Sequence, residues 1–250
     1  MDIKDIENMH KGSAAFIIGA GPSLLDLNLE SLKDFVTITV NSGIEKLPGC
    51  DYFVSDDNAA CNWTWFSDTA KNSNCKKFLY KKKLKNRSYF FNKEDIVWYD
   101  HVLSHSPNFD VSNSHGYKLT KDKGIIAART SSGSALHIAW LMGCDPIILL
   151  GHDACYLDGK RYFWQSYPKD KQPKRNDLKK IGYVPNRPDF NDQKVDAHCL
   201  DFNNYWNKVV ENNPELKDRV FNVSECSIIE AFDKLSFSEV MSIYGDRKKK

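Results

Sequence analysis

The 250-residue sequence has no apolar run long enough to cross a bilayer. Its most apolar stretch, Ile147 to Leu150, falls far short of the ~20 residues that a spanning helix needs. The opening residues, MDIKDIENMHKGS, are polar and acidic and contain no apolar signal-peptide core. No C-x-x-C pair occurs: seven cysteines (Cys50, Cys61, Cys75, Cys144, Cys155, Cys199, Cys226) are scattered and odd in number. That argues against a disulfide framework or a zinc ribbon, and the expected setting is a reduced cytoplasm. A large excess of either charge is also missing. Thirty-five Lys and Arg against 33 Asp and Glu leave a formal charge of +2, so bulk charge selects no partner. There is no internal repeat, no complete G-x-G-x-x-G and no Walker lysine.

What is present fits one α/β domain over residues 1–250, with a hydrophobic fraction of 41% and a charged fraction of 27%. Residues 14–19 (AAFIIG) read as a buried strand running into a glycine turn, and residues 24–33 as a helix or helical turn. The β-branched run 36–40 (VTITV) and residues 51–55 (DYFVS) are further strands. Residues 132–143 form a helix ended by Gly143, followed by a strand at 146–151. A helix over 195–210, a strand at 220–223 and a final helix near 228–235 complete the series. Apolar strands alternating with helices predict a Rossmann-like, mostly parallel sheet covered on both faces. Two segments break the pattern. Residues 157–192 combine aromatics, four prolines and many charges without periodicity, as a lid or acceptor-binding insertion would. Residues 59–124 remain an unplaced basic insertion.

Five constellations carry chemistry. Gly19-Ala20-Gly21-Pro22-Ser23 follows the first strand, where glycines admit a phosphate to the backbone or simply make a strand-to-helix turn. Asn41 ends the second strand, where its amide would either meet a ligand or form a turn. Asp56-Asp57-Asn58 ends the third; its carboxylates would hold magnesium or cap the next helix. Arg129-Thr130-Ser131-Ser132-Gly133 opens a helix, offering an anion site alongside a cap from Ser131 or Ser132. Gly151-His152-Asp153, followed by Tyr156 and Tyr162, places a polar pair directly after an apolar strand, where packing alone does not explain it.

The order of these motifs resembles a known superfamily. It includes the bacterial CMP-sialic acid-dependent sialyltransferases of glycosyltransferase family 42. It also includes the MptE-like proteins, which contain 6-hydroxymethylpterin diphosphokinases and flagellin motility accessory factors. The resemblance covers roughly residues 14–58 and 125–235, and implies a GT-A-like variant of the Rossmann-like fold. It implies that Gly19, Gly21, Pro22, Ser23 and Asn41 line a nucleotide pocket and that Ser132 and Gly133 hold the donor's cytidine or phosphate. It further implies that Asp153 contacts the ribose or donor sugar, and that Tyr156 and Tyr162 steady the leaving phosphate without a metal. The sequence departs from the sialyltransferases in having Ala20 where their first loop has asparagine. Asn191 stands where their lid histidine acts as general base, with His198 a few residues on. His152 and His198 are therefore the two candidate bases.

Residues 76–87 carry seven positive charges interleaved with aromatics, and Lys81, Lys82, Lys83, Arg87 and Trp164 are candidate acceptor contacts. The expected activity is transfer of a sugar from a nucleotide-sugar donor, a CMP-sugar favoured. The hydroxyl acceptor would be a surface glycan or glycolipid, or a hydroxymethylated base in phage-type DNA. No cofactor is required on that reading. A pterin diphosphokinase would use Mg²⁺ through Asp56 and Asp57, and an inactive nucleotide-binding module is a third alternative. Homo-oligomerisation is left open.

Overall fold

The computed structural model describes residues 2–57, 59–62, 64–102, 117–126, 130–172 and 197–249. Eight strands form a single sheet: β1 (Ala15–Ile18), β2 (Val36–Val40), β3 (Tyr52–Ser55), β4 (Lys76–Tyr80), β5 (Ile96–Tyr99), β6 (Ile147–Leu150), β7 (Val220–Asn222) and β8 (Asp233–Lys234). Their order is β5-β4-β3-β2-β1-β6-β7-β8, and every adjacent pair is parallel. All residues of β1, β2, β3 and β6 are buried, as a sheet covered on both faces requires.

Helices α1 (Ala59–Asn62), α2 (Thr64–Asn72), α3 (Lys81–Leu84), α4 (Ser131–Leu141), α5 (Ala197–Asn212) and α6 (Phe237–Tyr244) surround the sheet. One core layer joins Ile17, Ile38 and Val54 to Leu136 of α4 and Trp206 of α5. The opposite layer joins Phe16, Ile18 and Phe53 to Phe66 of α2 and Val240 of α6. The alternation of side chains along each strand produces this division. From β1 the chain moves outward through β2 to β5, then returns to β1's other side at β6. The β1–β6 junction is thus the topological switch point, where open α/β sheets leave a crevice beyond the carboxyl ends of the strands.

The five strands expected at 14–19, 36–40, 51–55, 146–151 and 220–223 appear as β1, β2, β3, β6 and β7. Residues 59–124, read as an unplaced insertion, supply β4 and β5 to the same sheet. Lysine hid β4: Lys77 is wholly buried, with its ammonium donating to the Ser73 and Cys75 carbonyls at 2.9 and 3.0 Å. The helix or helical turn expected over 24–33 takes the form of two 3-10 turns, Pro22–Asp26 and Leu29–Leu32. The helix expected near 228–235 is displaced to α6, because residues before it bury Ile229 and Phe232 and pair β8 with β7. Ser236 and Glu239 then open α6 with a capping box, whose S-x-x-E spacing was visible in the sequence. Of the lid segment 157–192, residues 173–192 lie outside the described residues.

Candidate active site

Two loops meet at the switch point. The loop after β1 runs Gly19-Ala20-Gly21-Pro22-Ser23, and the loop after β6 runs Gly151-His152-Asp153. Gly21 donates its N–H to the Gly151 carbonyl at 2.9 Å, and Gly19 donates to Leu150 at 2.8 Å. Asp153, 2% exposed, accepts from the Ser23 N–H at 2.9 Å and from the Ser23 hydroxyl at 2.5 Å. A Cβ on Gly19 would stand 2.6 Å from the Gly151 carbonyl oxygen, and one on Gly21 would stand 2.4 Å from Asp153 Oδ2. Loop-to-loop packing therefore dictates both glycines. The N–H groups of Gly19, Gly21 and Ser23 are taken by protein acceptors, and Asp153 is turned toward Ser23. These groups are engaged within the protein, and the loop with Asp153 forms a tightly held wall of the cleft.

The wall borders a cleft of about 180 Å³, open to solvent. Gly19, Ala20, Gly21, Asn41, Ser132, His152, Asp153 and Tyr162 line it, so eight residues from five separate stretches of sequence converge there. Thr130 of the helix-opening motif lines it too, and Arg161, Cys155, Cys199, Phe202 and Trp206 also line it without having been assigned a site role from the sequence. Arg161 brings a cation to the rim, and its guanidinium lies over the Tyr162 ring at 5.4 Å. Phe202 and Trp206 show a helical signal, four residues apart on α5.

Helix α4 begins beside this cleft. Its cap is Thr130, whose hydroxyl accepts from the Ser132 N–H at 3.2 Å, rather than Ser131 or Ser132. Ser131 instead joins strand ends: its Oγ accepts from the Asp56 N–H at 2.9 Å and lies 3.5 Å from the Asn41 amide nitrogen. Asn41 has a left-handed φ of 48°, and its amide oxygen accepts from the Ser55 hydroxyl at 2.7 Å. The side chain is thereby fixed at the end of β2. Gly133 is required by packing, since its Cβ would fall 1.9 Å from the Tyr205 hydroxyl.

A second polar cluster occupies the carboxyl ends of β3 to β5. Asp56, 6% exposed, accepts from the Tyr99 hydroxyl in a short bond and from the Ser134 hydroxyl at 2.9 Å. His101 Nε2 lies 3.4 Å from the same carboxylate. The His101 ring stacks on Tyr80, with centroids 4.1 Å apart and planes 11° from parallel. Burial pushes the Tyr99 phenol well above its ordinary range, with the Asp56 charge adding to it, so Tyr99 remains a donor. Asp56 is thus occupied by protein donors, and Asp57 beside it is exposed. Among the described residues, no group of three or more His, Cys, Asp or Glu side chains is arranged to hold a metal ion.

His152 is buried, and burial lowers its pKa to about 4. Its Nδ1 meets the Leu150 carbonyl at 3.0 Å, which makes it a neutral donor at neutral pH. That leaves Nε2 as the ring's lone-pair nitrogen, buried and without a hydrogen-bond partner, on a residue that lines the cleft. Tyr156 is half-buried and is not among the lining residues. Trp164, expected to face an acceptor, is 2% exposed, stacked on Tyr162 and set edge-on to Trp65. Pro22 and Ser23 build the turn behind the wall. Lys81, Lys82 and Lys83 are exposed on α3 and do not line the cleft. Arg129 and Asn191 lie outside the described residues, as do the side chains of Arg87 and His198.

No protein-family model matches the chain, and no curated protein matches its sequence. Among solved structures, the MAf glycosyltransferase from Magnetospirillum magneticum AMB-1 aligns with 98% of this chain at a TM-score of 0.54 and 15% identity. The chain shares its fold. It spans 40% of that protein's length. The sialyltransferase CstII from Campylobacter jejuni, solved with cytidine-5'-monophosphate, gives a TM-score of 0.47 at 16% identity, over 90% of this chain and 86% of that one.

Proposed function

We propose that the protein is a glycosyltransferase that seats a nucleotide-activated sugar in the switch-point cleft and transfers the sugar to a hydroxyl acceptor. The observation that carries this reading is the cleft itself, placed at the switch point of a fold shared with a glycosyltransferase. A nucleotide suits its chemistry. Trp206 and Phe202 provide apolar faces, the start of α4 and Arg161 provide positive potential for phosphate, and Asn41 supplies an amide. The motif order that resembles glycosyltransferase family 42 favours a CMP-sugar. Arg161 and Tyr162 would stabilise the departing phosphate in place of a metal. The engagement of Asp56 by Tyr99 and Ser134 weighs against a magnesium-dependent diphosphokinase.

The test is nucleotide release from a panel of CMP-, UDP- and GDP-sugars, with and without EDTA. Glycan, glycolipid and hydroxymethylated DNA serve as acceptors in separate reactions. Metal-independent release of CMP is the expected result. Turnover of none of these donors, with AMP formed from ATP and a pterin only when magnesium is present, would replace this reading with the kinase.

A further inference from the structure

We propose that His101, held by Asp56, is the general base that deprotonates the acceptor hydroxyl, an assignment that rests on the glycosyltransferase reading above. The sequence pointed to His152 and His198 instead. His152 is bound through Nδ1 to the Leu150 carbonyl and is buried. His101 is arranged differently. Its ring is oriented by stacking on Tyr80, its Nε2 faces the Asp56 carboxylate, and 12% of its side chain remains accessible. The carboxylate is itself fixed by Tyr99 and Ser134. A base held by an immobilised carboxylate is the arrangement from which imidazole accepts protons effectively.

The pair also sits where the reacting end of a donor would arrive. Asp56 immediately follows β3, two strand spacings from β1, which is about 10 Å along the carboxyl edge of the sheet. The Asp56 N–H is bonded to Ser131, which adjoins Asn41 on the cleft wall. His101 does not itself line the cleft; on this proposal a nucleotide seated over β1 and β6 extends its sugar past Asn41 and Ser131 toward β3, where the pair stands.

With Nε2–H directed at the carboxylate, Nδ1 carries the ring's lone pair. In the transfer step the acceptor oxygen bonds to the anomeric carbon as its proton passes to Nδ1. The bond between that carbon and the phosphate oxygen breaks, and its electron pair leaves with the nucleotide. Asp56 remains a carboxylate and balances the imidazolium charge.

Steady-state transfer and nucleotide-induced thermal shift, measured on wild type, His101→Ala, His101→Gln and Asp56→Asn, test the assignment. His101→Ala should lose about 100-fold or more in kcat, keep the CMP-induced rise in Tm, and regain rate with added imidazole. His101→Gln guards against a folding defect and should show the same loss. Asp56→Asn should lower kcat without imidazole rescue. Wild-type kcat in either His101 variant would overturn the proposal, as would loss of CMP-induced stabilisation with no imidazole rescue. Failure of the wild-type protein to use any sugar donor is a separate result and overturns the parent reading together with this one.

Discussion

The two ends of the sheet's carboxyl edge are built from different materials. At β1, β2 and β6 the backbone does the shaping. Glycines let the loops meet backbone to backbone, and the carboxylate of Asp153 is used internally to pin Ser23. At β3, β4 and β5 side chains do the shaping, through Asp56, Tyr80, Tyr99, His101 and Ser134. The first end is shaped by backbone and is lined also by His152, Asp153 and Tyr162, whereas the second gathers bonded side chains around Asp56. On the proposed reading, binding falls to the first end and proton transfer to the second, joined at Ser131.

The sharpest way to break the first end is Gly43→Ala. The new Cβ would lie 2.4 and 2.5 Å from the Gly19 and Ile18 carbonyl oxygens, both backbone atoms that cannot swing aside. A loss of about 3 kcal/mol or more in urea unfolding is expected. Asp153→Ala strips Ser23 of two hydrogen bonds to a charged acceptor and should cost about 2–3 kcal/mol, with nucleotide binding lost. An Asp153→Ala protein of wild-type stability would sever the internal role given to that carboxylate.

Acid should also act on stability through buried histidines. His152 and His137 both have pKa values lowered by burial from 6.5 to about 4. His137 cannot readily accept a proton at Nδ1, because that nitrogen already accepts from the Ile126 N–H at 2.9 Å while Nε2 donates to the Thr120 carbonyl. The unfolded chain takes up these protons below about pH 6.5, whereas the folded chain resists until about pH 4. The stabilisation is therefore full above 6.5 and declines as pH falls toward 4, by up to about 3 kcal/mol for each histidine. Urea titrations at pH 7.0 and 4.5 should show the decline. His137→Gln should flatten it, and a parallel decline in that variant would move the cause elsewhere.

Tyr99→Phe probes the second end. It removes one donor from buried Asp56 and should cost about 1–2 kcal/mol by denaturant unfolding while leaving the CMP-induced Tm rise intact. The smallest effect belongs to α3. Lys81→Ala, Lys82→Ala and Lys83→Ala, all at exposed positions, should each change stability by less than about 0.5 kcal/mol.

The same comparison explains what the sequence made legible. Residues of the first end are contiguous: Gly19 to Ser23 and Gly151 to Asp153 each follow a plainly apolar strand, so their position at strand ends was readable. Their packing role was not readable, because a glycine needed for loop packing and a glycine needed for phosphate look alike until the neighbouring carbonyl is seen. The second end draws on residues spread from 56 to 134, brought together only by the order of β3, β4 and β5. Buried Lys77 disguised β4 as a solvated basic stretch, which concealed that Tyr80 and His101 belonged to the sheet's edge. Trp164 misled in the opposite sense: an aromatic in a charged segment suggested a surface platform, whereas the ring is stacked in the core.

The most direct test of the account is a thermal-shift screen of the wild-type protein with CMP, CDP, UDP, GDP and ATP, each with and without magnesium. A ligand that binds only the folded state raises Tm by mass action. Metal-independent stabilisation by CMP, abolished in Asn41→Ala and reduced in Arg161→Ala, is the predicted result. Stabilisation by magnesium-ATP alone, or an equal response in both variants, would contradict the placement of a nucleotide-sugar donor in the switch-point cleft.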